Sequence, residues 1–102
     1  MLDEDLFYTD RFRVVLKVYE VTPSRKFPDG IKAKYVLIDV VQNAERLLVD
    51  NHEPYGFHMH AGLPDEKSLR VKLKTENYLE ALKEFNREVW RIIENEETSA
   101  EN

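Results

Sequence analysis

The feature that most constrains the fold is a period-two alternation of apolar and polar residues. Over residues 12–21, one side of an extended chain would carry Phe12, Val14, Leu16 and Val18, and the other Arg13, Val15, Lys17 and Tyr19. Neighbouring residues of a strand point to opposite faces of a sheet, so this pattern predicts a strand with one buried face. Residues 31–41, 46–51 and 69–74 are also rich in strand-forming residues and predict three further strands.

Short turn-rich segments separate the first three predicted strands. Pro28-Asp29-Gly30 is typical of a chain reversal, and residues 42–45 are typical of a hairpin loop. After Thr75, a candidate N-cap, apolar residues recur every three or four positions from Glu76 to Asn95 and predict a long helix. Because short connections favour antiparallel neighbours, the sequence predicts an α+β fold, an antiparallel sheet of about four strands with one C-terminal helix on one face.

The length of the chain predicts one domain, residues 1–102. Residues 1–10 form an acidic N-terminal segment, predicted to be a short amphipathic turn docked on the body, and residues 96–102 are predicted to be a flexible tail. No apolar run approaches the roughly 18 residues that cross a bilayer, and the first residues are acidic, so we expect a cytoplasmic protein without a membrane partner. The chain has no cysteine, which excludes disulfides and thiolate metal ligands.

The net charge of −5 is unevenly distributed. Residues 1–10 carry −4 and residues 75–102 carry −5, whereas residues 11–74 carry twelve Lys and Arg against eight Asp and Glu, a local charge of +4. This basic body indicates either an anionic ligand or simply an exposed, Glu-rich helix and tail elsewhere. The sheet face without the helix is also apolar enough to favour a homodimer, through Val15, Tyr19, Val36, Ile38 and Val40.

The three histidines are crowded into one short stretch, at His52, His58 and His60. Residues two apart on a strand share a face, so an extended His58-Met59-His60 would present two imidazoles together. With Asp50 or His52 they would form a nitrogen and oxygen site suited to a divalent transition metal such as zinc, manganese or nickel. The candidate metal ligands are therefore His58, His60 and His52, and the alternative is that no cofactor is bound.

A second interpretation of this stretch is metal-free acid and base chemistry on a phosphodiester. His58 and His60 would be the acid and base, Asp50 would orient an imidazole, and Tyr55 would stack on a base or donate a proton. Basic residues expected on the open sheet face would hold the phosphate, namely Arg70, Lys72, Lys74, Lys32, Lys34, Arg13, Lys17 and Arg46. A third interpretation is structural, with Asp50 as a turn residue and the histidines hydrogen-bonded within a long loop.

The order of these residues resembles the signature of the TumE-like family, small proteins regarded as toxin components of prokaryotic toxin-antitoxin systems. A strand ends in Asp50-Asn51, a turn with Pro54 and Gly56 follows, and His58 and His60 come next. The order of predicted elements is also similar, over about residues 11–95. The chain departs from the family pattern in having Phe57 before His58, where members often have an adjacent histidine pair.

The resemblance implies a helix-turn-helix antitoxin as partner and an action on RNA, that is, a ribonuclease. It adds Asn51 to the candidate binding residues, beside Asp50, His58 and His60. The alternative function is a non-catalytic protein-binding or dimerisation module with a structural histidine loop.

Overall fold

Within the part of the chain that the structure describes, six strands form one antiparallel sheet in chain order, followed by one helix. This computed structural model describes residues 2–53, 56–61, 70–75 and 77–100. The elements are β1 (Leu2–Phe7), β2 (Phe12–Glu20), β3 (Ile31–Asp39), β4 (Ala44–Asp50), β5 (His58–Ala61), β6 (Arg70–Lys72) and α1 (Tyr78–Ala100). The predicted α+β class, an antiparallel sheet with one C-terminal helix, is confirmed.

The sheet is wider than the predicted four strands because two segments join it. The acidic N-terminal segment, predicted to be a docking turn, is the edge strand β1, with Leu2 opposite Val18 and Phe7 opposite Arg13. Backbone hydrogen bonds to β2 hold a segment whose side chains are mostly exposed, and charged side chains are well tolerated at such an edge. The second addition is β5, which lies between β4 and β6.

The hydrophobic core lies between one face of the sheet and α1. Alternate strand positions and helix positions three or four apart supply most of it, namely Phe12, Val14, Leu16, Val18, Ala33, Tyr35, Leu37, Leu47, Val49, Met59, Ala81, Phe85, Val89 and Ile93. Tyr35 is buried against Phe85, with ring centroids 5.6 Å apart, and its hydroxyl donates to the carbonyl oxygen of Tyr78 at 2.9 Å. This bond fixes the start of α1 over the centre of the sheet.

The helix starts and ends later than the sequence predicts. Its N-cap is Asn77 and not Thr75, because Asn77 Oδ1 accepts hydrogen bonds from the N–H groups of Leu79 at 2.8 Å and Glu80 at 3.4 Å. Thr75 Oγ1 instead accepts from the Asn77 N–H at 3.0 Å.

At its other end α1 continues to Ala100, past the predicted end at Asn95 and into the segment expected to be a flexible tail. Glutamate and alanine are good helix formers, so a polar composition does not end a helix by itself.

A buried carboxylate joins the far end of the sheet to this last part of the helix. Asp39 accepts hydrogen bonds from Arg11 Nη2 at 2.7 Å and Arg46 Nη1 at 3.2 Å, and both guanidinium groups also contact Glu96. Burial alone would raise the pKa of Asp39, but the bonds from Arg11, the Gln42 N–H and Arg46 outweigh it and hold the pKa below its ordinary value.

This ion-pair network corrects the prediction that Arg46 lies on the open sheet face with the other bases. The β3–β4 register shifts between Leu37 and Ile38, which leaves Arg46 without a directly opposite partner. The irregularity is accompanied by a turn of the Arg46 side chain towards Asp39 and the helix.

Candidate functional site

The strand register brings ionisable residues of the six described strands into one row on the sheet face opposite the helix. Asp3 lies opposite Lys17, Lys17 opposite Lys34, Lys34 opposite Asp50, Asp50 opposite His58, and His58 opposite Lys72. Directly opposed residues of antiparallel strands share a face, so these side chains are neighbours across the sheet. The structure thus places a carboxylate and an imidazole between lysines, as the sequence predicts for Lys34 and Lys72.

A second row on the same face is mainly apolar. Val15 lies opposite Val36, Val36 opposite Leu48, Leu48 opposite His60, and His60 opposite Arg70. Val36 is buried although α1 lies on the other face of the sheet. His58 and His60 share the face, as their spacing predicts, and their ring centroids are 4.8 Å apart.

The centre of the site is Asp50, the last residue of β4. His52 Nδ1 and Asp50 Oδ1 are hydrogen-bonded at 2.6 Å, and Nε2 of His58 lies 3.3 Å from the same oxygen. The His52 and His58 rings meet edge to face, with centroids 4.9 Å apart. We call Asp50, His52 and His58 the histidine cluster; one ligand atom from each lies within 4.8 Å of the others.

Local backbone chemistry builds this cluster. Asp50 Oδ1 also accepts from the backbone N–H of His52 at 3.3 Å, a turn in which a carboxylate bonds the chain two residues on. Gly56 has a φ of +61°, which glycine adopts at little cost, and its carbonyl oxygen accepts from Nδ1 of His58 at 2.8 Å. The turn and the glycine thus position the two rings against one carboxylate.

The three members of the histidine cluster differ in their exposure to solvent. The side chain of His58 is 1% exposed, whereas those of His52 and Asp50 are 35% and 23% exposed. The sequence predicts His58 and His60 as the reacting pair. The geometry encloses His58 and leaves both His52 and His60 partly exposed.

A cleft of about 330 Å³ opens beside the histidine cluster, and Asp50 and His52 form part of its wall. It is also lined by Lys26, Phe27, Lys32 and Lys34. We call this cavity the lysine cleft. The Nζ of Lys32 lies 5.7 Å from the ring centroid of Phe27. Three ammonium groups beside one carboxylate give the lining of this concavity an excess of positive charge.

Lys26 and Phe27 come from the connection between β2 and β3 and are site residues that the sequence does not reveal. The backbone N–H of Glu53 donates to the carbonyl oxygen of Lys26 at 2.8 Å and holds this connection against the segment after β4. No periodic pattern marks the two residues. Their only signal is a basic and aromatic pair inside a turn-rich segment.

Asn51 has a structural position beside the cluster. It is buried, its Oδ1 accepts from the N–H of Ala33 at 3.0 Å, and its Nδ2 donates to the carbonyl oxygen of Ile31 at 2.9 Å. The side chain thereby continues the β3–β4 ladder past the end of β4. Asn51 also lines the lysine cleft, so its predicted binding role is compatible with its place.

The remaining predicted site residues lie apart from the lysine cleft. Lys74 follows β6 and lines a separate cleft of about 370 Å³ with Lys72 and two acids of α1. Arg13 Nε donates to Asp5 on β1 at 2.7 Å. The backbone of Arg70 pairs with β5, while its side chain and the whole of Tyr55 lie outside the described part of the structure.

No protein-family model matches the chain, and comparisons with curated proteins and with solved structures give no match. The resemblance to the TumE-like family therefore stays a prediction. Among the described residues, no helix combines the length and the apolar character needed to span a bilayer.

Proposed function

We propose that the protein is a ribonuclease, the toxin component of a toxin-antitoxin pair, which hydrolyses RNA where the histidine cluster meets the lysine cleft. The observation that carries the proposal is the 2.6 Å contact between Asp50 and His52 in the wall of a cleft lined by three lysines. The lysines of the cleft would bind an anionic phosphate, and the Asp50–His52 pair would activate an oxygen nucleophile beside it.

The lining of the cleft favours single-stranded RNA as the substrate. Its volume of about 330 Å³ lies at the lower end of the range for small-molecule sites, so it accommodates one nucleotide unit. Lysine ammonium groups neutralise phosphate charge without reading sequence. Phe27 in the cleft and the exposed Tyr19 beside Lys32 offer aromatic faces on which unpaired bases stack.

The distribution of charge supports the same assignment despite a net charge of −5. Asp3 and Asp5 of β1 lie at the edge of the open face, opposite Lys17 and Val15, and most acids of α1 lie on the helix side of the sheet. The rest of the open face carries the row from Lys17 to Lys72. A polyanion would therefore be attracted to the part of the open face away from β1.

The histidine cluster supplies the chemistry. Water attacks the phosphorus, a new P–O bond forms, and the ester bond to the leaving oxygen breaks. The proton lost by the water passes through the cluster and ends on that leaving oxygen. Asp50 holds His52 in one orientation at the cleft wall, and a fixed imidazole is the side chain most often used to move such a proton.

The proposal includes a helix-turn-helix antitoxin as protein partner and a cytoplasmic site of action, both on the basis of the family resemblance. An antitoxin that covers the open face would block the cleft. The proposal does not depend on a homodimer.

A cleavage assay on labelled single-stranded RNA tests this function, with growth on induced expression as a second readout. We expect the wild-type protein to cleave RNA and arrest growth, and Asp50→Asn to abolish both while the circular dichroism spectrum is retained. Lys83→Ala is the matched control, because Lys83 lies on α1 and contacts Glu80. A folded Asp50→Asn variant with full activity would reject the role of the cluster.

A second candidate function is a non-catalytic binding module. It is favoured by the burial of His58 and by the hydrogen bond from the Ala33 N–H to Asn51, since both are structural roles. In that case the wild-type protein would not turn over RNA at any salt concentration. The same substitutions would then act only by lowering the melting temperature.

A further inference from the structure

We infer that Asp50, His52 and His58 bind a divalent transition-metal ion, with zinc as the best match to the ligand set. Two imidazole nitrogens are directed at one carboxylate oxygen, and the three ligand atoms lie within 4.8 Å of one another. The inference stands on the geometry of the cluster and does not require RNA to be the substrate.

The contact between His58 and Asp50 is the first step of the argument. The carbonyl oxygen of Gly56 only accepts hydrogen bonds, so Nδ1 of His58, 2.8 Å away, carries the proton. Nε2 of the same ring lies 3.3 Å from Asp50 Oδ1. The bond to Gly56 thus fixes the ring with a nitrogen beside a carboxylate oxygen, which are two ligand atoms of the kind that zinc binds.

The distances fit a small ion with nitrogen and oxygen ligands. Zinc lies about 2.0–2.2 Å from such ligands, so two ligand atoms at a tetrahedral centre are about 3.4 Å apart. The 3.3 Å between His58 Nε2 and Asp50 Oδ1 matches this separation. His52 Nδ1 lies 2.6 Å from the same oxygen, and the three ligand atoms lie within 4.8 Å of one another, so the His52 side chain would have to shift by roughly 1–1.5 Å to reach this geometry.

The surroundings of the cluster also resemble those of a catalytic metal centre. A metal-bound histidine commonly donates its other ring N–H to a carboxylate or a backbone carbonyl, as His58 does to Gly56. Two histidines and one carboxylate leave a fourth position for water, on the side of the lysine cleft where His52 and Asp50 are exposed. A bound ion would acidify that water, and His52 would then be a ligand, with the ion in place of His52 as the group that activates the water of the proposed hydrolysis.

The ligand set differs from the three histidines that the sequence suggests. His60 shares the face of His58, but the compact group around Asp50 consists of Asp50, His52 and His58. His60 lies in the apolar row, opposite Leu48. It therefore serves as a matched histidine control.

Calorimetric titration of the chelator-treated, untagged protein with zinc chloride tests the site. We expect one zinc ion per wild-type chain, and a loss of affinity of about 100-fold or more in Asp50→Asn and His52→Gln, since even changes beyond the ligands commonly cost 10–100-fold. His60→Gln is expected to bind zinc as the wild type does. His52→Gln protects the test against a folding failure, because His52 is partly exposed.

Three results would overturn the site: no zinc bound by the wild-type protein, unchanged affinity in both Asp50→Asn and His52→Gln, or loss of affinity in His60→Gln. RNA cleavage that persists after chelation would exclude a role of the metal in the reaction and support the proposed function. Stoichiometric zinc in a protein that cleaves no RNA would support the metal site and reject the proposed ribonuclease function.

Discussion

Replacing Asp39 with Asn removes the negative charge from the buried network that ties the sheet to the end of α1. The carboxylate is 0% exposed and accepts hydrogen bonds from Arg11 at 2.7 Å and from Arg46 at 3.2 Å. Asparagine has nearly the same shape, so the substitution changes charge with little change in packing. We expect the free energy of unfolding to fall by about 2–3 kcal/mol at pH 7.

The expected loss of stability depends on which contacts Arg11 and Arg46 keep after the substitution. A hydrogen bond to a charged group contributes about 1.5–3 kcal/mol, and removing one partner of a fully buried pair costs about 3–5 kcal/mol. Arg11 and Arg46 are 30% and 18% exposed and both still contact Glu96, so water and Glu96 compensate for part of the loss. The amide oxygen can also still accept from the Gln42 N–H.

The stabilisation that the Asp39 carboxylate contributes should decrease as the pH falls. The pKa of Asp39 in the folded protein lies below its ordinary value of 3.8, so the carboxylate stabilises the fold above that pH. The contribution is lost as the pH falls through the folded-state pKa. The stability difference between the wild type and Asp39→Asn should therefore narrow below about pH 3.8.

Urea unfolding followed by circular dichroism at pH 7 and at pH 2.5 measures both effects. Asp5→Asn is the control, because Asp5 pairs with Arg13 at the exposed edge of the sheet and should lose far less stability. A loss below about 1 kcal/mol in Asp39→Asn, or a difference from the wild type that does not narrow in acid, would refute the account of this network.

Changes at Asn51, at Gly30 and in the lysine cleft have separate expected outcomes. Asn51→Ala leaves the buried N–H of Ala33 and the partly buried carbonyl oxygen of Ile31 without their bonds and should cost about 2–3 kcal/mol in urea unfolding; a loss below about 1 kcal/mol would contradict its structural role. Gly30 has a φ of +71°, and an added Cβ would lie 2.9 Å from a backbone oxygen. Gly30→Ala should therefore lower the melting temperature by several degrees, which an unchanged thermal scan would disprove. For RNA binding, Lys32→Ala with Lys34→Ala should reduce the slope of log affinity against log salt by about 0.7 per lost phosphate contact, while Lys83→Ala leaves the slope unchanged. Equal salt slopes for the wild type, the Lys32→Ala/Lys34→Ala double variant and Lys83→Ala would exclude the lysine cleft as the phosphate-binding site.

The sequence predicts those parts of the fold that carry a long periodic signal. β2, β3 and α1 each extend over nine residues or more, and each has a buried face that repeats at the period of its own geometry. β1 lacks such a signal, because its side chains are mostly exposed and its place depends on backbone bonds to β2. β5 has only four residues, too few for an alternation to be recognised.

The candidate site shows the same division between local and long-range information. The shared face of His58 and His60 follows from their spacing, and the orienting role suggested for Asp50 agrees with its contacts. His52 meets Asp50 through a local turn, but the register of β4 with β5 decides which β5 imidazole Asp50 meets, and no local pattern encodes that register. Lys26 reaches the site through a bond to the backbone of Glu53, a contact between segments far apart in the chain.

Single-turnover cleavage of a labelled single-stranded RNA, with enzyme in excess over a range of concentrations, tests the central claim most directly. The assay separates the cleavage rate of the bound complex from the affinity for RNA. We predict that Asp50→Asn abolishes the rate with little change in affinity, and that Lys32→Ala with Lys34→Ala weakens affinity with little change in the rate. Cleavage by a folded Asp50→Asn protein at the wild-type rate, or no cleavage by the wild type under any condition, would contradict the assignment of catalysis to the histidine cluster.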